Sequence, residues 1–293
     1  MLGKIATFCK NLLDWLKSNR CFLSYFIKAF PLANNLIMLL IVMLSFFAIV
    51  MYGAVSAVIR INPLVSMLVV LLLTSALASG FFYLMKTNVD AKLRGEEIGQ
   101  NGFKSAFSTF YAGIGENYFS FILLFILFLI LVSLVILGTI FFVDRFFFKL
   151  SEVGSSLPAF FEALMYPRQT DAIIQQLDES QRLMLRIWSR SFIVTTQTFT
   201  FLIMLWVPEV LYTKANVVKS LINSVKKVFL EFPNALCVYL TIMFINFIIA
   251  IFTILLGDNT LGFVILQIAS FYLMIYNFYA IFLFYNDKFI AEN

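Results

Sequence analysis

The segment NVVKSLINSVKKVFLEFP, residues 216–233, decides how the rest of the chain is read. It opens on Asn216-Val217-Val218-Lys219-Ser220 and runs with one-sided, helical hydrophobicity into Phe232-Pro233 and a long apolar stretch. Asp14-Trp15-Leu16-Lys17-Ser18 leads to Phe30-Pro31 at the same spacing, and Asn101-Gly102-Phe103-Lys104-Ser105 leads in the same manner to Asn117-Tyr118. The pattern predicts a tripled unit, at residues 4–85, 101–212 and 216–286. Each unit is a helix lying on a membrane surface, followed by two helices that cross the bilayer. The expected fold is all-α: a single polytopic membrane domain over residues 1–293, with six transmembrane helices as three hairpins. An amphipathic helix on the cytoplasmic face precedes each hairpin.

Composition demands a membrane. With 62% hydrophobic residues, 13% charged residues and 36 phenylalanines, the chain is too apolar to close around one soluble core without exposing large patches. A bilayer core of roughly 30 Å requires about 20 apolar residues per crossing helix. Residues 32–59, 61–85, 117–143, 191–208, 232–257 and 259–286 meet this with no Asp, Glu, Lys or Arg inside. The fourth is short and carries Thr195, Thr196, Gln197, Thr198 and Thr200. Arg190 bounds it, and Trp206 and Tyr212 suit an interface. Asn62-Pro63 and Gly257-Asp258-Asn259 are the expected tight turns.

Lysine and arginine set the sidedness. Lys4, Lys10, Lys17, Arg20 and Lys28 precede the first span; Lys86, Lys92, Arg94 and Lys104 lie between the second and third; Lys214, Lys219, Lys226 and Lys227 follow the fourth. Six spans put all three groups on one side, which the positive-inside rule makes cytoplasmic, together with both termini. The expected location is the bacterial inner membrane. The net charge of +5 then reads as topology and contact with anionic lipid, so nucleic acid is not an expected partner. Cys9, Cys21 and Cys237 fall on or near the cytoplasmic side at no metal-binding spacing, and are read as reduced, packed thiols. The charged, tryptophan-containing N-terminal segment does not resemble a cleavable signal, so the first span is expected to remain as an anchor.

The amphipathic segments are the candidate contact surfaces. Phe103, Phe107, Phe110, Tyr111 and Ile114 share one helical face, as do Val218, Leu221, Ile222, Val225, Phe229 and Phe232, with Asn101 and Asn216 placed as N-caps. The lysines on the opposite faces make Lys17, Lys104, Lys219, Lys226 and Lys227 the candidate lipid- or partner-binding residues. Residues 144–190 form the one sizeable loop outside the bilayer. Ser156 and Pro158 are placed to start a short helix there. A second helix from Thr170, with Asp178 and Arg182 paired one turn apart, is expected to continue toward the fourth span. A lid and a plain amphipathic connector both remain open for this loop.

The search for chemistry returns little. The absence of histidine excludes His-dependent triads, His metal ligands and His proton shuttles. No glycine-rich phosphate loop, Cys-x-x-Cys pair or Gly-x-Ser-x-Gly elbow occurs, so no catalytic, cofactor or metal residue is assigned. Polar residues inside the spans are uncharged, which counts against ion-coupled transport. Gln197, Glu209, Asn246, Gln267 and Asn277 are the candidates for a polar path. Glu209 is read either as an interfacial carboxylate near Lys214 or as facing Asn246 or Asn277. Ser75, Ser79 and Gly80 form a small-residue patch suited to close helix packing.

Trp206-x-Pro208, followed by Asn216-x-x-Lys219-Ser220-x-x-x-Ser224-x-Lys226-Lys227 and an apolar span, resembles a segment of poorly characterised bacterial six-helix membrane proteins. These are similar to the membrane domain fused to some glycerophosphoryl diester phosphodiesterases. The second unit departs from the pattern by lacking a proline equivalent to Pro208. The resemblance implies a six-helix membrane fold and carries over no catalytic residue; a phosphodiesterase would need an additional soluble barrel of about 250 residues. The expected role is therefore non-enzymatic: a scaffold or accessory subunit of a membrane complex, in contact with membrane lipids and other membrane proteins. The alternative is a channel or transporter for a small or apolar solute, which requires the in-span amides to converge.

Overall fold

The computed structural model describes residues 20–96, 103–146, 179–256 and 260–291. Within them the chain is helical and without strands: α1 (Arg20–Ala33), α2 (Leu36–Val58), α3 (Pro63–Leu93), α4 (Phe103–Phe146), α5 (Glu179–Ile203), α6 (Trp206–Thr213), α7 (Val217–Leu230), α8 (Phe232–Leu256) and α9 (Thr260–Phe289). Six stretches are long and apolar enough to cross a membrane. They are α2, α3, α9, most of α4 and of α8, and Arg182–Thr213 across α5 and α6. The protein is thus an all-helical, multi-pass membrane protein.

Asparagines mark several helix starts. Asn35 Oδ1 accepts from the Ile37 amide at 3.0 Å, Asn62 Oδ1 from Leu64 at 2.9 Å and Asn216 Oδ1 from Val218 at 3.0 Å, each relieving an amide that the first turn leaves without an intrahelical partner. Pro63 follows Asn62 as the first residue of α3, where its missing N–H costs nothing. Arg60 turns the chain between α2 and α3 in the left-handed region (φ 56°), and Lys214 does the same between α6 and α7 (φ 48°).

Several boundaries differ from those expected. The second amphipathic segment is not a separate surface helix, because α4 runs 44 residues through Asn117-Tyr118 without a break. Its buried stripe explains why: Phe110, Gly113, Asn117, Phe121 and Leu124 recur at helical spacing across the expected junction. Pro31 lies inside α1, and the break follows at Asn34-Asn35. The fourth crossing stretch runs through Arg190 as part of α5, then breaks at Met204-Leu205 before α6. Pro208 sits in the first turn of α6, where prolines are tolerated. The first surface segment up to Asn19, the Asn101 cap, the helix expected from Ser156, the Asp178 end of its neighbour and the Gly257-Asp258-Asn259 turn lie outside the described residues.

The chain forms two compact units: Met1–Phe125 with Ile203–Asn293, and Ile126–Leu202. At the centre of the first is α9, every residue of which from Tyr279 to Asn286 is buried. Helices α1, α2, α3, α6 and α8 pack against it, and α7 packs on α6 and α8. Phe82 of α3 gathers Phe121, Phe278 and Phe282 around it, with ring centroids 4.8 to 6.3 Å away. Helices α3 and α4 cross at two glycines. A Cβ on Gly80 would lie 2.8 Å from the ring and the carbonyl oxygen of Phe110, and one on Gly113 would lie 2.6 Å from Tyr83 Cβ. The small-residue patch on α3 is therefore a backbone-to-backbone packing surface, with Ser75 and Ser79 fully buried and their hydroxyls bonded to their own helix.

The second unit contains the C-terminal part of α4 and nearly all of α5. Phe128 and Phe199 meet there at 6.2 Å. Thr195, Thr198 and Thr200, the residues that weaken the fourth span in the sequence, donate their hydroxyls to Ser191, Val194 and Thr196 carbonyls at 2.8 Å. Satisfied within the helix, they no longer oppose an apolar environment.

Candidate functional site

The polar side chains of the first unit concentrate where α3, α6, α7 and α9 meet. Glu209, placed in the first turn of α6, is 1% exposed. The left-handed residue Lys214 folds α7 back along α6, and Trp206 fixes that return by donating its indole N–H to the Val217 carbonyl at 3.0 Å. The return brings Lys227 to Glu209: its ammonium donates to Oε2 at 2.7 Å. Tyr285 of α9 donates to the same oxygen at 2.6 Å, and Asn223 donates to Oε1 at 3.3 Å. The Lys227 ammonium also donates to the Tyr285 hydroxyl at 2.8 Å and sits over the Tyr285 and Phe289 rings at 4.6 and 5.0 Å.

A second cluster of like composition adjoins the first. Tyr212 of α6 donates to Asp90 Oδ1 of α3 at 2.8 Å, and Asn286 of α9 donates to both, at 3.3 and 3.2 Å. Lys86 stands one turn before Asp90, 3.6 Å from Oδ2, and lies 5.0 Å above the Tyr212 ring. The two clusters touch through Tyr212 and Tyr285, whose rings stack at 5.4 Å and 22°. Further ties reach outward: Asn88 donates to the Tyr279 hydroxyl at 2.8 Å, and Tyr25 of α1 donates to Asp287 at 2.6 Å.

Chemically this arrangement is closed. Glu209 and Asp90 are each matched by a lysine and by a tyrosine hydroxyl, so the charges are spent on one another and on the helices that carry them. Among the described residues no three His, Cys, Asp or Glu side chains gather as a metal set.

Expected and observed positions diverge in instructive ways. Glu209 pairs neither with Lys214 nor with Asn246 or Asn277. Lys214 instead reaches Glu116, 3.5 Å away. Lys227, expected at the headgroups, turns inward. Trp206 and Tyr212 serve as internal ties. Lys104, Lys219 and Lys226 are not drawn into the cluster, and Lys17 lies outside the described residues. Asn277 donates to Asn246 Oδ1 at 3.3 Å, so these two amides do meet; Gln267 is exposed, and Gln197, half-buried, belongs to the other unit.

Sequence reading passes over Asp90, Tyr285 and Asn286, and takes Tyr212 for an interfacial aromatic. One signal was available in Tyr279 and Tyr285-Asn286-Asp287, polar groups ending an apolar run. A helix buried on all sides must find partners for such groups, but burial on all sides is visible only once neighbours are placed. Searches against protein-family models, curated proteins and solved structures find no match for this chain.

Proposed function

We propose that the protein is a non-enzymatic integral protein of a bacterial cytoplasmic membrane, acting as a scaffold or accessory subunit of a membrane complex. In this reading the six crossing stretches form three hairpins with basic segments before them. Both termini are cytoplasmic, on the side where lysine and arginine accumulate. The observation that carries it is the division of α7 into an anchored side and an open one. Val217, Ser220, Ser224 and Val228 are buried against the protein, with Asn223 and Lys227 beside them on Glu209. Val218, Ile222 and Phe229 are 46%, 52% and 59% exposed, and Lys219 and Lys226 lie on the same helix outside the Glu209 cluster. A helix fixed by ion pairing on one side and offering apolar residues flanked by cations on the other suits the boundary between acyl chains and anionic headgroups, or a partner docked there.

The channel reading draws less support. Asn246 and Asn277 pair locally, Gln267 is exposed, and buried Ile281 occupies the turn between Asn277 and Tyr285 on the same stripe of α9.

Native mass spectrometry of the protein extracted in mild detergent tests the proposal. Wild type is expected to retain a stoichiometric membrane-protein partner or anionic phospholipid, and the Lys219→Gln/Lys226→Gln variant to lose it. Recovery of wild type bare, or unchanged retention by the double variant, would overturn the assignment. Solute flux through proteoliposomes of the pure protein would move the function to transport.

A further inference from the structure

Three lysines stand on α7, and the fold uses one of them. Lys227 turns inward to Glu209, whereas Lys219 and Lys226 are exposed and meet no acid among the described residues. The described acids of α4, α6 and the α7–α8 joint are already engaged: Glu116 with Lys214 at 3.5 Å, Glu209 with Lys227 at 2.7 Å, and Glu231 with Asn234 at 2.7 Å. At about 3.6 residues per turn and about 1.5 Å per residue, Lys219 and Lys226 lie about 20° apart around the helix and about 10.5 Å apart along it. Two ammonium groups thus share one face of α7 without a counter-charge from the described residues.

Connectivity says what lies against α7. It stands between two stretches that can cross a membrane: Lys214, Ala215 and Asn216 separate it from the end of Arg182–Thr213, and Glu231 alone separates it from the start of Phe232–Thr253. With both stretches crossing, the two ends of α7 are tied to the same boundary of the bilayer. On its open side Val218, Ile222 and Phe229 fall within about 40° of one another, and the lysine pair follows about 40° further round. Phe229 stacks on Phe232 at 6.4 Å, carrying the apolar strip on to the start of α8. A soluble anion would use the cations and leave the strip bare, whereas a phospholipid uses both, phosphate on lysine and acyl chain on the strip. The flexible lysine stems allow the ammonium groups to converge on phosphates closer together than the two backbone positions. Where one molecule carries both phosphates, the second contact forms within a complex already made, an advantage that two separate single-phosphate lipids lack.

We infer that Lys219 and Lys226, with the apolar strip beside them, form a site for a phospholipid bearing two phosphates, of the diphosphatidylglycerol class. The inference rests on the reading of α7 given above and narrows it to one class of ligand.

The test uses the full-length protein in mild detergent, titrated with tetraoleoyl cardiolipin or with dioleoyl phosphatidylglycerol at equal phosphate, and native mass spectrometry counts the bound lipid. Wild type should hold one cardiolipin at least about tenfold more tightly than phosphatidylglycerol. Lys219→Gln and Lys226→Gln should each weaken cardiolipin binding about fivefold. The Lys219→Arg/Lys226→Arg variant, which keeps both charges, should retain it, and Lys104→Gln, which removes an exposed lysine of α4, should leave it unchanged. Equal affinity for the two lipids at matched phosphate, unchanged affinity in the glutamine variants, an equal loss in Lys104→Gln, or displacement of the lipid by inorganic pyrophosphate at equal phosphate would overturn the inference. A protein partner retained alongside equal lipid affinities would overturn the lipid site alone; a wild type holding neither partner nor lipid would overturn the scaffold reading with it.

Discussion

Glu209 is a buried acid on which three side chains converge, and its energetics follow from its 1% exposure. A carboxylate so enclosed depends on the ammonium 2.7 Å away and on the donors from Tyr285 and Asn223. Removing one partner of a buried ion pair strands the other. Lys227→Met is therefore expected to cost about 3 kcal/mol, seen as a lower melting temperature in detergent, and Lys227→Met/Glu209→Gln should recover most of the loss. Tyr285→Phe removes a donor to the carboxylate and an acceptor for the lysine while leaving the ring stacked on Tyr212. A loss of about 1–2 kcal/mol is expected, measured by the same melting experiment. At this scale the sequence was partly legible. Glu209 stood out as the one acid with a place in the last turn of a span, yet its partners are 14, 18 and 76 residues away, and nothing local distinguishes Lys227 from its neighbour Lys226. Only the direction in which α7 returns along α6 decides which of the two lysines turns inward.

Among the elements, the crossing of α3 and α4 leaves no room for a side chain at either glycine. Gly113→Val would drive side-chain atoms into Tyr83 and the backbone at Gly80, and should destabilise the protein by about 1–3 kcal/mol or more. Gly115, on the same helix, has open space at its Cβ position, so Gly115→Ala should be neutral or stabilise by up to about 1 kcal/mol. Comparing the two melting curves separates crowding from simple helix propensity. The apolar helices were readable because crossing lengths and charge-free runs follow from the bilayer itself. The amphipathic segments were less so, because one-sided hydrophobicity does not say whether the apolar side meets lipid or protein. In α4 the Phe110 side meets α3 and the helix continues unbroken, whereas in α7 Val218, Ile222 and Phe229 are left exposed and the small residues pack inward. Two segments of similar pattern thus take different roles, set by the Gly80–Gly113 crossing in one case and by Glu209 in the other.

For the whole molecule, sidedness is the expectation most open to direct measurement. In cysteine-free protein, Arg60→Cys should react with a membrane-impermeant maleimide from the periplasmic side, and Lys219→Cys only in inverted vesicles; the opposite pattern would reverse the topology. Both positions are exposed, one at a turn and one on a helix surface, so reactivity reports location and not burial. The network at α9 also bears on the order in which the chain is made. Asp90 receives hydrogen bonds from Tyr212 and Asn286, separated from it by 122 and 196 residues, and Glu209 receives one from Tyr285, 76 residues later. While the ribosome is still working, both carboxylates wait beside the membrane incompletely paired, and only the last helix supplies Tyr285 and Asn286. A polypeptide ending before α9 would keep five of the six crossing stretches and lose Tyr285 and Asn286 together, leaving both carboxylates short of donors.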